Sequence, residues 1–392
     1  MSKEKARNAQ LFAWAVVIAA VSFIAGARSD QIFAAIAPKL GVRYSAERLD
    51  TERIQETYRQ LKAQYDGNLD TDKLINGASR GLVAATGDPY TTFMDAEEAK
   101  EFEKTLNGNI GGGIGAEIGL RNNRPTVVRV LRNSPAEEAQ VKAGDIITAV
   151  NGNSVADATT EQVVEKIRGE VNTTVKLQVL RNYQRLEMSM TRKQITAPAV
   201  EHDIVDGVGI LKVYRFGEET GTLARAAAEA FKQNNVQKVI VDLRSNPGGT
   251  VTAAQALAGL WLDNQDIMTE RRGDKVVKTV KSTGKPLLQD IKTVVLIDRS
   301  SASASEIVAG ALQEYGKAKL LGEKSYGKGS VQQLIKLRDG AQLKVTEARW
   351  YTPKGHTIDK TGIEPDEKVG LTANDMNFGK DPQMDAAKKL SW

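Results

Sequence analysis

The 392-residue chain contains no cysteine and only two histidines, His202 and His356. Without cysteine there are no disulfides, no thiol nucleophile and no cysteine-ligated metal, a composition that suits an oxidising compartment. With two widely separated histidines a histidine-rich metal site is not expected, and no metal or other cofactor is indicated. The usual base of a serine hydrolase is missing too, because neither histidine lies in a recognisable triad motif. Charge of one sign is also scarce. The 54 Lys and Arg against 49 Asp and Glu leave a net charge of +5, without a long basic block, so a nucleic-acid partner is not indicated.

Long apolar runs are rare, with one exception. Lys3, Lys5 and Arg7 precede residues 11–27, a stretch interrupted only by Ser22 and Gly26. As a helix it would span about 26 Å, close to the thickness of a bilayer core. The basic flank would stay in the cytoplasm and send the rest of the chain outside. Ala25-Gly26-Ala27 also resembles a signal-peptidase site. A membrane anchor and a cleaved signal both remain open, and either places the protein outside the cytoplasm, in a periplasm or cell envelope.

The remainder reads as an N-terminal anchor and linker (residues 1–40), a helical region (41–104), a small β-rich domain (105–193), a larger domain of alternating strands and helices (194–370) and a polar tail (371–392). In the helical region Ile54, Tyr58, Leu61 and Tyr65 recur at helical spacing, as do Leu74, Ile75, Ala78 and Leu82. These stripes fit either a helix pair with its own core or a homo-oligomer contact.

The glycine-rich run Gly111 to Gly115 nominally matches a dinucleotide fingerprint. However, no strong strand precedes it, and a strand rather than a helix follows, so that reading fails. A peptide-carboxylate loop fits better. Consecutive N–H groups around Gly113, Ile114, Gly115 and Ala116 can hold a terminal carboxylate, while the neighbouring strand edge pairs with the peptide. In the larger domain, residues 236–243 form a nearly continuous apolar strand, as expected of one buried on both faces. It ends in Arg244-Ser245-Asn246-Pro247-Gly248-Gly249, beyond the carboxyl end of a strand, where α/β sites gather.

Two stretches concentrate the chemistry. Ser301-Ala302-Ser303-Ala304-Ser305-Glu306 follows an apolar strand and opens a helix. Ser325-Tyr326-Gly327-Lys328-Gly329-Ser330 opens a strand. A serine hydroxyl needs a base, and a lysine serves when burial lowers its pKa. Ser303-x-x-Glu306 is equally a helix-capping box, and an isolated Gly-Lys-Gly is usually a turn with a solvated lysine.

Taken together, SASASEIVAGAL, SYGKGSVQ, DLRSNPGG and YTPKGHTIDKTGIEPD resemble the carboxyl-terminal processing proteases, serine endopeptidases of family S41 with an inserted PDZ domain. The likeness runs from about Asp88 to Asp366. It implies a crotonase-like α/β peptidase core, an inserted β-rich PDZ domain and an N-terminal helical segment. It implies Ser303 as nucleophile, Lys328 as base, Gln332 as the residue orienting that lysine, and the N–H groups of Gly249 and Ala304 as oxyanion donors. The substrates would be protein or peptide carboxyl termini, extended or unfolded, recruited through the PDZ loop. Three rival readings are a non-catalytic, membrane-anchored peptide-binding adaptor, an acyl-CoA enzyme on a related core, and a hydrolase dependent on His356.

Overall fold

The computed structural model describes residues 29–36, 39, 45–122, 124–156 and 158–390. The apolar run 11–27 lies outside them. Among the described residues no helix is long and apolar enough to cross a membrane. Residues 1–75 and 76–392 form two units.

The first unit carries helices α1 (Ser29–Ile36) and α2 (Glu52–Gln64) and the start of α3 (Thr71–Ala84). The stripes seen in the sequence are real as helices, but Ile54, Tyr58, Tyr65, Ile75 and Leu82 are all exposed. Neither α2 nor α3 buries a single residue.

The second unit takes the rest of α3, followed by strand β1 (Thr92–Met94) and helix α4 (Ala96–Leu106). Asp95 starts α4 with a capping box in which its side chain and that of Glu98 exchange hydrogen bonds with the backbone, satisfying orphan N–H groups of the first turn.

Next comes the β-rich domain. Strand β2 (Asn109–Gly113) and strands β3 (Ala116–Arg121), β4 (Arg124–Val130), β5 (Ile146–Val150), β6 (Asn153–Ser154), β7 (Thr174–Arg181), β8 (Gln184–Thr191) and β9 (Lys193–Thr196) enclose helices α5 (Pro135–Glu138) and α6 (Thr160–Ile167). β3 to β8 form one sheet, and β2 pairs with β9 where the chain enters and leaves. The inward residues Val175, Leu177 and Val179 alternate along β7 and pack with Ile147 and Val163, the period of two that a half-buried strand requires.

The larger domain is built on a six-stranded sheet. Its order is β10 (Val200–Val205), β11 (Val208–Val213), β12 (Lys238–Asp242), β15 (Lys292–Ile297), β16 (Ala318–Gly322) and β19 (Glu367–Lys368). From β11 onward every pairing is parallel. Val239 and Val241 face a core shared with helices α7 (Thr220–Gln233), α8 (Val251–Ala258) and α9 (Ala304–Glu314), while Ile240, Val294 and Leu296 face the other side. Both faces are covered, which is why Val239, Ile240 and Val241 are apolar without alternation.

The chain from Ala373 onward, read from sequence as a polar tail, closes that second face. It forms α10 (Ala373–Asn377) and α11 (Pro382–Lys389). Met384 and Ala387 are buried against the sheet. Lys238 Nζ donates to the carbonyls of Ala387, Lys388 and Leu390, satisfying acceptors that every helix C-terminus leaves open.

A second, wholly antiparallel sheet stands beside the first: β1, β18 (Gln342–Tyr351), β13 (Asp266–Arg272) and β14 (Lys275–Lys281), with β17 (Ser330–Lys336) on the other side of β18.

Candidate active site

β15 delivers the first stretch. At its end Asp298 accepts from the N–H groups of Ser300, Ser301 and Ser245 at 2.9–3.0 Å, tying the serine loop to the Asn-Pro-Gly-Gly loop. The three serines then divide. Ser301 Oγ donates to the Leu243 carbonyl at 2.8 Å, and Ser305 Oγ donates to that of Asn246 at 3.0 Å. The outer two hydroxyls therefore hold the neighbouring strand end, and the Ser303 hydroxyl proton is committed to no acceptor among the described residues. Ser303 sits at φ 55, ψ −114 just before α9. A side chain in that region costs about 1–3 kcal/mol and persists only where the surroundings enforce it.

The Asn-Pro-Gly-Gly loop lies directly against this elbow. Asn246 is fully buried. Its amide donates to the Val213 carbonyl at 2.6 Å, and its side-chain oxygen accepts from Gly248 N–H at 2.9 Å. Gly248 has φ 97, and a Cβ there would lie 2.6 Å from the Ala302 carbonyl oxygen and 2.9 Å from both Ser303 Cβ and Ala304 N. No side chain fits, and this close approach sets the loop beside the serine. The N–H groups of Gly249 and Ala304 donate to no acceptor among the described residues.

The second stretch is held by a buried carboxylate. Glu306, in the first turn of α9, is fully buried. One oxygen accepts from Ser303 N–H at 2.8 Å and Lys328 N–H at 3.0 Å. The other accepts from Ser325 Oγ and Gly327 N–H, both at 2.6 Å. Half of the capping box is thus present, but its carboxylate also fixes the Gly-Lys-Gly loop onto the serine helix. Burial pushes the Glu306 carboxyl above its usual range, opposed by these four hydrogen bonds.

The late motif of residues 351–366 forms a floor under the same loop. Ile363 N–H donates to Ser325 Oγ at 2.7 Å, and Lys360 N–H donates to the Gly327 carbonyl at 2.8 Å. A Cβ on Gly329 would lie 2.6 Å from Asp359 Cβ. The lysine is flanked by glycine because backbone packs against backbone there.

Lys328 is half-buried, and its ammonium stands 5.4 Å from the centroid of the Tyr90 ring. Among the described residues it forms no hydrogen bond to Ser303 Oγ or to Gln332. The Gln332 amide instead donates to Ser330 Oγ at 2.7 Å and Thr346 Oγ1 at 3.4 Å. Burial lowers the Lys328 pKa, the like charge of Lys344 lowers it further, and Glu306 opposes both.

Tyr90 and Lys344 are the residues the sequence did not place here. Asp88 accepts from Tyr90 N–H and Thr91 Oγ1, and Thr91 Oγ1 accepts from Thr346 N–H at 3.1 Å. The Asp-Pro-Tyr turn is thereby fastened to β18, beside Lys328. In sequence this turn marks only where the family likeness begins, at about Asp88. A ring face attracts an ammonium by about 0.5–2 kcal/mol, so it favours protonated Lys328. Tyr90→Leu retains bulk and removes that preference. The acid limb of kcat/KM against pH is expected to move to lower pH, and an unchanged limb would remove Tyr90 from any role at the lysine.

The histidines are elsewhere. His356 Nδ1 lies 2.8 Å from Glu314 Oε1 at the far end of α9, about 15 Å of helix from Ser303. His202 lies on β10 against the edge of Phe231. The His356-dependent hydrolase does not survive this geometry.

The loop Gly113, Ile114, Gly115 and Ala116 lines a separate cavity of about 830 Å³, with Val164 and Arg168 across from it and Tyr214 and Arg244 on the wall of the larger domain. Ser303 and Lys328 do not line it. Arg129 on β4 bonds Glu201 at 2.9 Å and lies 4.2 Å over the Tyr214 ring, linking the small domain to the core.

A strained serine at a helix N-terminus, two uncommitted N–H groups and a lysine of lowered pKa are the groups that acyl transfer to a serine requires, here on an α/β core. Three family models match in succession: the activating protease CtpB N-terminal domain over residues 26–98, a PDZ domain over 112–191 and peptidase family S41 over 207–369. A "Probable CtpA-like serine protease" of Staphylococcus epidermidis is 36% identical over 326 residues, covering 82% of this chain and 66% of the relative. A protein of the same description from Staphylococcus aureus is 34% identical over 326 residues, covering 82% and 65%. The chain therefore spans just under two thirds of the length of these relatives. A solved photosystem II D1 C-terminal processing protease superposes with a TM-score of 0.52 at 25% identity, covering 82% of this chain and 87% of that one. The chain belongs to peptidase family S41.

Proposed function

We propose that this protein is an endopeptidase that cuts near the carboxyl terminus of extended or unfolded proteins. The observation that carries the reading is the Glu306 carboxylate, which joins the backbone of Ser303 to the backbone of Lys328. In the proposed reaction neutral Lys328 takes the Ser303 hydroxyl proton as Oγ attacks the scissile carbonyl carbon. The oxyanion forms against the N–H groups of Ala304 and Gly249, a type of contact worth about 3–4 kcal/mol each. The Lys328 ammonium then gives its proton to the leaving amine, and water repeats the sequence on the acyl-enzyme. Before this, Lys328 must leave the Tyr90 ring for Ser303, with Gln332 turning from Ser330 to steady it.

The cavity beside Gly113 to Ala116 is the proposed seat of the substrate's terminal carboxylate. A solved relative is named for processing a carboxyl terminus, which is in keeping with this reading. The apolar run 11–27 supports placing the protein at a membrane, outside the cytoplasm.

The test incubates wild type and Ser303→Ala with an unstructured protein ending in apolar residues and follows its carboxyl terminus by mass spectrometry. Shortening by wild type alone is expected. Binding without shortening by either would favour the adaptor reading, for which the unengaged Lys328 amine speaks.

The pH dependence follows from the charges around Lys328. Its proton must be lost before it can act, so kcat/KM rises with pH through its lowered pKa. Lys344→Gln removes the like charge, raises that pKa and moves the half-maximal point to higher pH. Activity near neutrality falls several-fold. A shift in the other direction, measured on the same peptide, would show that Lys344 does not act on Lys328 through its charge.

A further inference from the structure

We propose that the outer edge of β17 binds an extended stretch of substrate polypeptide as an added strand, feeding it past Ser303. The inference rests on the protease reading and assigns it a substrate-binding edge outside the cavity described above.

β17 begins two residues after Lys328 and runs antiparallel to β18, and among the described residues no strand pairs with its other side. Its hydrogen-bond phase can be read. Leu337 N–H bonds the Ala341 carbonyl at 2.8 Å. Bonded pairs in an antiparallel ladder alternate, so Ile335 with Leu343 and Gln333 with Val345 are the next two. The N–H and C=O groups of Gln332, Leu334 and Lys336 therefore point away from β18, forming a row of unused donors and acceptors.

The side chains match an unfolded chain. Leu334, Ile335 and Leu337 are 43%, 38% and 41% exposed, on a strand whose outer half, from Gln333, is uncovered. Apolar edges of this kind invite strand addition, and proteins usually guard them with charge. The β14 edge of the same sheet is guarded that way. β14 carries Lys275, Lys278 and Lys281 along its length, whereas β17 carries only Lys336. The unguarded edge is the one that starts at the proposed base. Pairing through backbone tolerates many sequences and demands an extended conformation, so the ligand class is an extended, apolar segment with free amide N–H groups.

The test uses Leu334→Pro in the full chain. Proline removes one outward N–H and no bond of the β17–β18 ladder, a position at which edge strands accept it. Leu334→Val, which retains the N–H, is the control. For an unfolded polypeptide, kcat/KM is expected to fall at least about tenfold in Leu334→Pro and to stay near wild type in Leu334→Val. Acylation of Ser303 by a fluorophosphonate should be unchanged in both.

Wild type is also assayed on peptides N-methylated at single positions. Sensitivity should alternate with period two, and the penalty at one sensitive position should vanish in Leu334→Pro, as coupled sites require. Lys336→Pro, which removes the next outward donor, repeats the test should Leu334→Pro fold poorly. Equal cleavage by proline and valine variants, or penalties that simply add, would overturn the proposal. A change of oligomeric mass in Leu334→Pro with unaltered kcat/KM would assign the edge to a second copy of the chain and overturn it as well. If wild type neither reacts with the fluorophosphonate nor cleaves, the protease reading itself fails.

Discussion

Alanine at Ser303 or at Lys328 is expected to lower turnover by roughly 10⁴- to 10⁶-fold, and the double variant is expected to be no worse than either single one. The non-additivity is the informative part. A nucleophile and its base act in one step, so removing either removes the step. In the proposed mechanism the two N–H groups of Gly249 and Ala304 still act in both variants, and the residual rate is theirs. The fold is not expected to suffer. Ser303 Oγ holds no other element in place, since Ser301 and Ser305 perform that task. Lys328 is half-buried with no hydrogen bond from its amine among the described residues, so Lys328→Ala relieves a desolvated charge and the melting temperature should hold or rise. Mass-spectrometric turnover and thermal denaturation together check this. Near-normal rates in Lys328→Ala would dismiss it as base, and a collapse of melting temperature would recast it as structural.

The parts of the site legible in the sequence are those whose geometry is local. Ser303 opens α9 because a helix N-terminus follows an apolar strand, and Gly327 and Gly329 flank Lys328 because the loop packs on backbone. Both are written into short runs of residues. Tyr90 was not legible, because its contact with Lys328 crosses 238 residues of chain and depends on Thr91 bonding β18. Lys344 was hidden for a related reason. It is one exposed-looking lysine in an alternating strand, opposite Leu334 in the β17–β18 register, and its charge acts on Lys328 only in the folded chain.

The C-terminal segment reads from sequence only as a terminal helix or a loose polar tail, because its apolar content is small. Two buried apolar residues, Met384 and Ala387, suffice once polar groups carry the rest. Arg244 bonds both Asp242 and Asp381 at 2.7–2.9 Å, which fastens α11 to the strand leading into the Asn-Pro-Gly-Gly loop. Gln332 is the residue where family likeness and present geometry part. Its amide faces Ser330 and Thr346, and the proposed mechanism requires it to turn.

Glu306 is where the largest loss of stability is expected. Its carboxylate satisfies four buried donors, and each donor left unpaired costs ~1–3 kcal/mol, so Glu306→Ala should lose at least about 4 kcal/mol. That is a large fraction of the 5–15 kcal/mol that holds a typical domain together. Glu306→Gln is the sharper experiment, because the side chain retains its shape. Its single carbonyl oxygen accepts two of the four donors, while its NH₂ faces the other two, so glutamine should melt between wild type and alanine. A purely structural Glu306 would end there. A Glu306 that also tunes the base makes a second prediction with a definite sign. Its negative charge favours the Lys328 ammonium, so removing that charge lowers the Lys328 pKa further and moves the rise of kcat/KM to lower pH. Lys344→Gln moves the same limb to higher pH. Two charge-removing substitutions around one amine should therefore displace one titration in opposite directions. Displacement in the same direction, measured on one peptide across one pH series, would mean that neither charge acts on Lys328 as described.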